Sequence, residues 1–162
     1  MKKINVAYIS PGECARQHCA ELVMQNRDFV LVALPAGLTG QSAWQAFSIA
    51  DVVVIDEAAI RGEGFEAVNL LLASHPDVNC LIVMEELHDP TMVWALTQGI
   101  RGVLVRDEVD SLLAKAIRRV SDGEIWVSRG LAEQLRDTLF RYPEPGTSRP
   151  GGTAARGWAK WH

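Results

Sequence analysis

The strongest constraint on the fold of this chain is the regular alternation of short apolar runs with segments of helical spacing. The run Val52–Ile55 is apolar at every position, which is typical of a strand buried on both faces of a parallel sheet. From Leu112 to Val120 the apolar residues recur along one face of a helix instead. The predicted strands are Ile4–Ile9, Phe29–Leu34, Val52–Ile55, Cys80–Met84 and Val103–Val105, and the predicted helices are Gly12–Asn26, Gln41–Ala50, Phe65–Ser74, Pro90–Gln98 and Val109–Val120.

This order predicts an α/β fold, in which a doubly wound five-stranded parallel sheet carries helices on both faces. In such sheets the reactive and ligand-binding groups lie at the carboxyl ends of the strands. We therefore expect a functional site to be built from the residues that end the predicted strands. These are Ser10–Pro11, Ala36, Asp56, Glu85 and Arg106.

Composition limits the function and the location of the protein. A formal net charge of −4 on 162 residues argues against a protein that binds nucleic acid through its general surface. The first apolar run is too short for a signal peptide, and no apolar run reaches membrane-spanning length. A cytoplasmic protein without a membrane association is expected.

The carboxyl-terminal part divides from the rest by composition. Residues 1–128 carry the alternating pattern, and residues 129–142 are predicted to form an extension helix that Ser128 could cap. Residues 143–162 are rich in proline, glycine and small polar residues and show no apolar period, so we predict a flexible tail.

The three cysteines indicate free thiols, because an odd number in a core-sized chain does not suit a disulfide framework. Cys14 and His18 are one helical turn apart and could share a metal ion. A zinc site needs three or four ligands, however, which favours packing of Cys14 and Cys19, with His18 at the surface or its rim.

A family resemblance is carried by residues 95–128, ALTQGIRGVLVRDEVDSLLAKAIRRVSDGEIWVS, and by the run that ends in Asp56, with Gly64 eight residues later. Over about residues 3–140 the chain resembles the receiver domain of NarL/FixJ-like response regulators. The resemblance implies a flavodoxin-like receiver fold and a role in two-component, phosphorelay signal transduction and transcription regulation. It also implies that Asp56 is the phosphoacceptor-equivalent residue.

The rest of the family's reactive set is replaced in this chain. The resemblance implies an acid pair that binds Mg²⁺ with the acceptor aspartate, a Ser or Thr after the fourth strand, and a Lys after the fifth. The acid pair falls on Ser10 and Pro11, the Ser or Thr on Glu85, and the Lys on Arg106. The chain therefore resembles a degenerate, or atypical, receiver in which Asp56 is not used.

Several roles remain open for these residues. Glu13 and Glu57 are weak candidates to join Asp56 in a Mg²⁺ site, and no other cofactor is expected. Glu85 is interpreted either as a mimic of a bound phosphoryl group or as a partner of Arg106. Arg106 could bridge Asp56 and Glu85, because a guanidinium binds carboxylates in a planar, bidentate manner, or it could be exposed.

Our leading hypothesis is a non-enzymatic receiver domain that acts through protein–protein contacts, as a homodimer and without phosphorylation. A histidine kinase or another regulator would be its partner, and DNA would be reached only through a helix-turn-helix domain that is not visible in this chain. One alternative is a conventional response regulator, phosphorylated on Asp56 by a histidine kinase and dependent on Mg²⁺. A second alternative is a flavodoxin-like domain that binds a small molecule.

Overall fold

The computed structural model describes residues 2–86, 95–127 and 133. The strands are β1 (Ile4–Ile9), β2 (Phe29–Ala33), β3 (Val52–Asp56), β4 (Asn79–Met84) and β5 (Gly102–Val105). The helices are α1 (Glu13–Met24), α2 (Gln41–Ile49), α3 (Glu57–Glu63), α4 (Phe65–Ser74) and α5 (Val109–Ser121). Residues 95–97 are also helical, and a 3-10 turn at Arg106–Glu108 joins β5 to α5.

The five strands form one sheet in the order β2-β1-β3-β4-β5, and every neighbouring pair is parallel. The predicted doubly wound sheet is thus confirmed. β3 lies at the centre with all five of its residues buried, as its uninterrupted apolar run predicted. The carboxyl ends of β1, β3, β4 and β5 consequently meet at one edge of the sheet.

Each face of the sheet has its own apolar core. Val53 and Ile55 of β3 point to the core beneath α2, α3, α4 and residues 95–97. Val52 and Val54 point to the opposite core, beneath α1 and α5, as expected from the two-residue period of a strand. The buried faces of the helices contribute Phe47, Ile60, Leu71 and Ala95 to the first core and Cys19, Val23, Leu113 and Ile117 to the second.

Helix α3 is the main difference from the sequence-based expectation. The sequence pattern predicts no helix or strand at Glu57–Glu63, yet this segment forms a helix. The Asp56 side chain caps this helix by accepting a hydrogen bond from the Ala58 N–H, and Gly64 ends it with φ +83°. The other predicted elements that the structure describes in full agree with the observed ones to within two residues at each end.

Some predicted segments fall wholly or partly outside the described residues. The predicted helix Pro90–Gln98 is described only from residue 95, and its described residues 95–97 are helical. The extension helix 129–142, apart from residue 133, and the tail 143–162 lie outside. Among the residues that the structure describes, no helix is both long enough and apolar enough to span a lipid bilayer.

The outer edge of β5 is paired with the segment that follows α5. Trp126 bridges Gly102 in parallel: its N–H donates to the Arg101 carbonyl (2.9 Å), and its carbonyl accepts from the Val103 N–H (3.0 Å). A Cβ atom on Gly102 would overlap Cδ2 of Leu81 and lie 3.0 Å from both Cβ and the carbonyl oxygen of Trp126. This close approach explains why position 102 requires a residue without a side chain.

Candidate functional site

Asp56 is the centre of a hydrogen-bonded cluster at the carboxyl edge of the sheet. It is the last residue of β3 and the N-cap of α3, and its side chain is only 3% exposed. Oδ1 accepts from the Ala58 N–H at 3.1 Å. Oδ2 accepts from three donors: the Tyr8 hydroxyl (3.0 Å), the Ser10 hydroxyl (3.0 Å) and Nη2 of Arg106 (2.7 Å). This carboxylate is therefore well satisfied by the protein itself.

Two of these donors come from β1. Ser10 is buried just after the strand; its hydroxyl also accepts from the Gly12 N–H at 3.1 Å, which fixes the turn into α1. Tyr8, two residues earlier, was not predicted as a site residue. Because alternate residues of a strand share a face, the spacing of Tyr8 from Ser10 was the signal that could have identified it.

Arg106, the first residue after β5, joins the two predicted carboxylates. Its Nη2 lies 2.7 Å from Oδ2 of Asp56 and 3.1 Å from Oε1 of Glu85, and its Nε donates to the same Glu85 oxygen at 3.1 Å. The Arg106 side chain is 32% exposed, whereas that of Glu85 is 55% exposed. The guanidinium thus bridges a buried and an exposed carboxylate, one of the arrangements considered from the sequence.

The cluster shifts the ionisation of its members. Burial alone would raise the pKa of Asp56, but hydrogen bonds from Arg106, Ala58 and Ser10, together with the charge of Arg106, outweigh it and lower that pKa. Burial raises the pKa of Tyr8, so the phenol remains a neutral donor. Burial opposes the charge on Arg106, but its contacts with Tyr8 and Asp56 raise its pKa on balance. The Asp56–Arg106 pair is consequently ionised on both sides near neutral pH.

Glu57 follows Asp56 in the chain, but its carboxylate accepts hydrogen bonds from other groups, Arg61 and the backbone of Glu85. Its side chain is 8% exposed, and its Oε1 accepts from Nη2 of Arg61 at 2.9 Å and from the backbone N–H of Glu85 at 3.1 Å. The sequence had suggested Glu57 only as a weak metal ligand. In the structure its carboxylate connects the start of α3 to the first residue after β4.

The residues present do not fit the Mg²⁺ site that the resemblance implies. Pro11 is exposed and has no donor atom in its side chain, and the Ser10 hydroxyl is directed to Asp56. Oδ2 of Asp56 already accepts three hydrogen bonds, one of them from a cation. Glu13 is exposed, and the described residues contain no group of three His, Cys, Asp or Glu side chains that could hold a metal ion.

Cys14 and His18, which were considered as two ligands of one metal ion, have different surroundings in the structure. His18 lies 2.5 Å from Asp110 of α5, measured from Nε2 to Oδ1, while Cys14 is an exposed free thiol. Cys19 is free and buried, which confirms its predicted packing, whereas the same prediction for the exposed Cys14 is wrong; Cys80 is free and buried in the opposite core. His18 links α1 to α5 at the surface.

Sequence comparisons relate the chain to response regulators. The chain is 27% identical over 136 residues to the DNA-binding transcriptional activator DevR/DosR of Mycobacterium tuberculosis, which covers 84% of this chain and 63% of that protein. It is 30% identical over 111 residues to the response regulator GacA of Pseudomonas protegens, which covers 68% of this chain and 51% of GacA. The chain thus spans less than two thirds of these relatives. No family model matches the sequence.

Comparison with solved structures identifies the fold. The isolated REC domain of RcsB from Salmonella enterica serovar Typhimurium, determined in the presence of the phosphomimetic BeF3−, superposes with a TM-score of 0.72 at 14% identity. The match covers 83% of this chain and 99% of that domain. The five-stranded parallel sheet in the order β2-β1-β3-β4-β5 accords with this match. The chain therefore has the fold of a receiver domain, and the proteins to which its sequence is related are response regulators.

Proposed function

We propose that this receiver domain signals through contacts with other proteins and without phosphorylation of Asp56. The observation that carries the proposal is the occupation of Asp56 Oδ2 by Tyr8, Ser10 and Arg106. A carboxylate must present a free oxygen to attack a phosphoryl donor, and the other oxygen, Oδ1, accepts from the Ala58 N–H, its one donor among the residues that the structure describes. Attack would have to begin from a group that is buried and held in an ion pair.

Charge in the cluster also opposes phosphoryl transfer. Catalysis of this transfer depends on cations that neutralise the phosphoryl oxygens. Arg106 is already shared by Asp56 and Glu85, and the positions of the acid pair hold Ser10 and Pro11. An extra like charge about 4 Å from Glu85 would cost about 4 kcal/mol at an effective dielectric constant near 20, which slows a reaction by roughly three decades.

Incubation with Mg²⁺ and acetyl phosphate, followed by intact-mass measurement, tests this proposal. We expect no phosphorylated species, and no saturable change in the amide NMR signals of Asp56, Glu85 and Arg106 when beryllofluoride replaces acetyl phosphate. Asp56→Asn is the matched control, because it removes the acceptor. A phosphorylated species that disappears in Asp56→Asn would overturn the proposal and establish a conventional response regulator, which a histidine kinase would phosphorylate.

The partners of the domain form the second part of the proposal. DevR/DosR is named as a DNA-binding activator, and the present chain spans only part of that relative. We therefore propose a cytoplasmic, non-enzymatic role in transcription regulation, with DNA reached through a separate domain or a partner protein. A homodimer through the surface between the predicted helix Pro90–Gln98 and α5 is the expected assembly, with α1 and α5 as the second choice. Light scattering at micromolar concentration tests it, and a strictly monomeric mass would contradict it.

A further inference from the structure

Glu57 has an environment that the Asp56 cluster does not explain. A carboxylate whose side chain is 8% exposed is costly to bury unless donors compensate it. One donor, Arg61, lies one turn further along α3 and is 60% exposed. An ion pair with such an exposed partner contributes little and would form equally well with Glu57 turned to the solvent. The buried position of the carboxylate therefore requires another reason.

The second donor supplies that reason. β3 ends at Asp56, and the last residue pair between β3 and β4 is Asp56 with Val83. The chain of β3 then turns into α3, while β4 continues to Met84 and leaves the sheet at Glu85. The N–H of Glu85 lies beyond the paired residues, and Oε1 of Glu57 accepts from it at 3.1 Å. A side chain thus continues the connection between the two strands where the main chain of β3 has turned away.

We propose that Glu57 is a positioning residue that fixes the segment leaving β4 through the amide of Glu85. Residue 85 is held at two points, by Glu57 at its backbone and by Arg106 at its side chain. The segment that begins there leads to the helical residues 95–97, which pack on the sheet through Ala95. Glu57 therefore fixes the position of residue 85, at which the chain leaves β4. The inference goes beyond the proposed function and holds whether or not Asp56 is phosphorylated.

Amide hydrogen exchange at residue 85, followed by NMR at neutral pH, tests the proposal with three variants at position 57. Glu57→Ala removes the acceptor. Glu57→Asp keeps the charge but is one methylene shorter, so it does not reach the amide. Glu57→Gln keeps an acceptor oxygen at the same reach and loses the charge. We expect exchange at residue 85 to accelerate about tenfold in the Ala and Asp variants and to stay within about threefold of the wild type in the Gln variant.

Two controls separate positioning from general destabilisation. Glu85→Ala removes the contact with Arg106 but keeps the backbone N–H, so exchange at residue 85 should stay slow. The amides of Val54 and Leu81 in the centre of the sheet report global opening and should change less than residue 85 in every variant. The proposal is overturned if residue 85 exchanges no faster in Glu57→Asp than in Glu57→Gln, or if the acceleration is matched at Val54 and Leu81. If Glu57→Ala does not fold, the comparison of Asp with Gln decides.

Discussion

Nη2 of Arg106 lies 2.7 Å from Oδ2 of Asp56, and these two residues, fifty positions apart, form the charged centre of the site. Removal of one partner from a buried ion pair leaves an uncompensated charge, which costs more than the pair itself contributes. Because Arg106 is partly exposed, we expect Arg106→Ala to reduce the free energy of unfolding by about 2–3 kcal/mol. Urea denaturation measures this change.

Two other variants calibrate the Arg106 result. Glu85→Ala removes only the exposed carboxylate, and a loss below about 1 kcal/mol is expected. Arg106→Lys keeps the charge but not the planar group that contacts both carboxylates, so its loss should lie between the other two. An Arg106→Ala protein as stable as Glu85→Ala would contradict the bridging role.

The lowered pKa of Asp56 gives the stability a defined dependence on pH. A carboxyl group whose pKa is lower in the folded state stabilises the protein above its unfolded pKa, about 3.9, and loses that contribution as the pH falls through the folded value. Between pH 5 and pH 3 the wild type should therefore lose more stability than Asp56→Asn, which cannot titrate at this position. Urea midpoints at several pH values measure the two slopes, and parallel slopes would refute the assignment.

Tyr8 should contribute to the same cluster through its hydroxyl group. Tyr8→Phe keeps the buried ring and removes the hydrogen bond to Asp56, so a loss of about 1–2 kcal/mol is expected. Because the hydroxyl also accepts from Nη1 of Arg106 at 3.5 Å, Tyr8→Phe and Arg106→Ala should not be additive. A double-mutant cycle by urea denaturation tests this, and strictly additive losses would show that Tyr8 acts independently.

Gly102 and Gly62 provide a matched pair for the packing at the edge of β5. Gly102→Ala would place a Cβ atom against Leu81 and Trp126, and we expect a loss of about 1–3 kcal/mol. Gly62 lies within α3 with no atom close to its added Cβ, so Gly62→Ala should stabilise the helix by up to about 1 kcal/mol. Thermal unfolding of both variants checks the opposite signs, and equal effects would contradict the close contact at residue 102.

The sheet and most of its helices could be predicted from the sequence because their residues follow a clear period. The run Val52–Ile55 and the face from Leu112 to Val120 carry that signal directly. Helix α3 escaped prediction because its stability depends on a cap by Asp56 and on packing of Ala59 and Ile60, which outweigh the glycine within it. Local propensity is a weak guide when a short helix is held by tertiary contacts.

In the site, too, some residues could be predicted from the sequence pattern, and others depend on tertiary contacts. Asp56, Glu85 and Arg106 were predicted as neighbours because parallel strands place their carboxyl ends together. Tyr8 was missed because a tyrosine inside a strand resembles any core residue until its hydroxyl has a partner. The role of Glu57 depends on its contact with the Glu85 N–H, just after β4, and this contact between two strand ends is not visible in the sequence.

The bridge between Trp126 and Gly102 changes the chemical character of one outer edge of the sheet. At β5 the main-chain groups around Gly102 are already paired with residue 126, whereas β2 is the outer strand at the opposite end. A strand supplied by another molecule needs unpaired N–H and C=O groups to bind. Addition of a foreign strand at β5 is therefore opposed near Gly102, where the chain's own backbone already pairs with these groups.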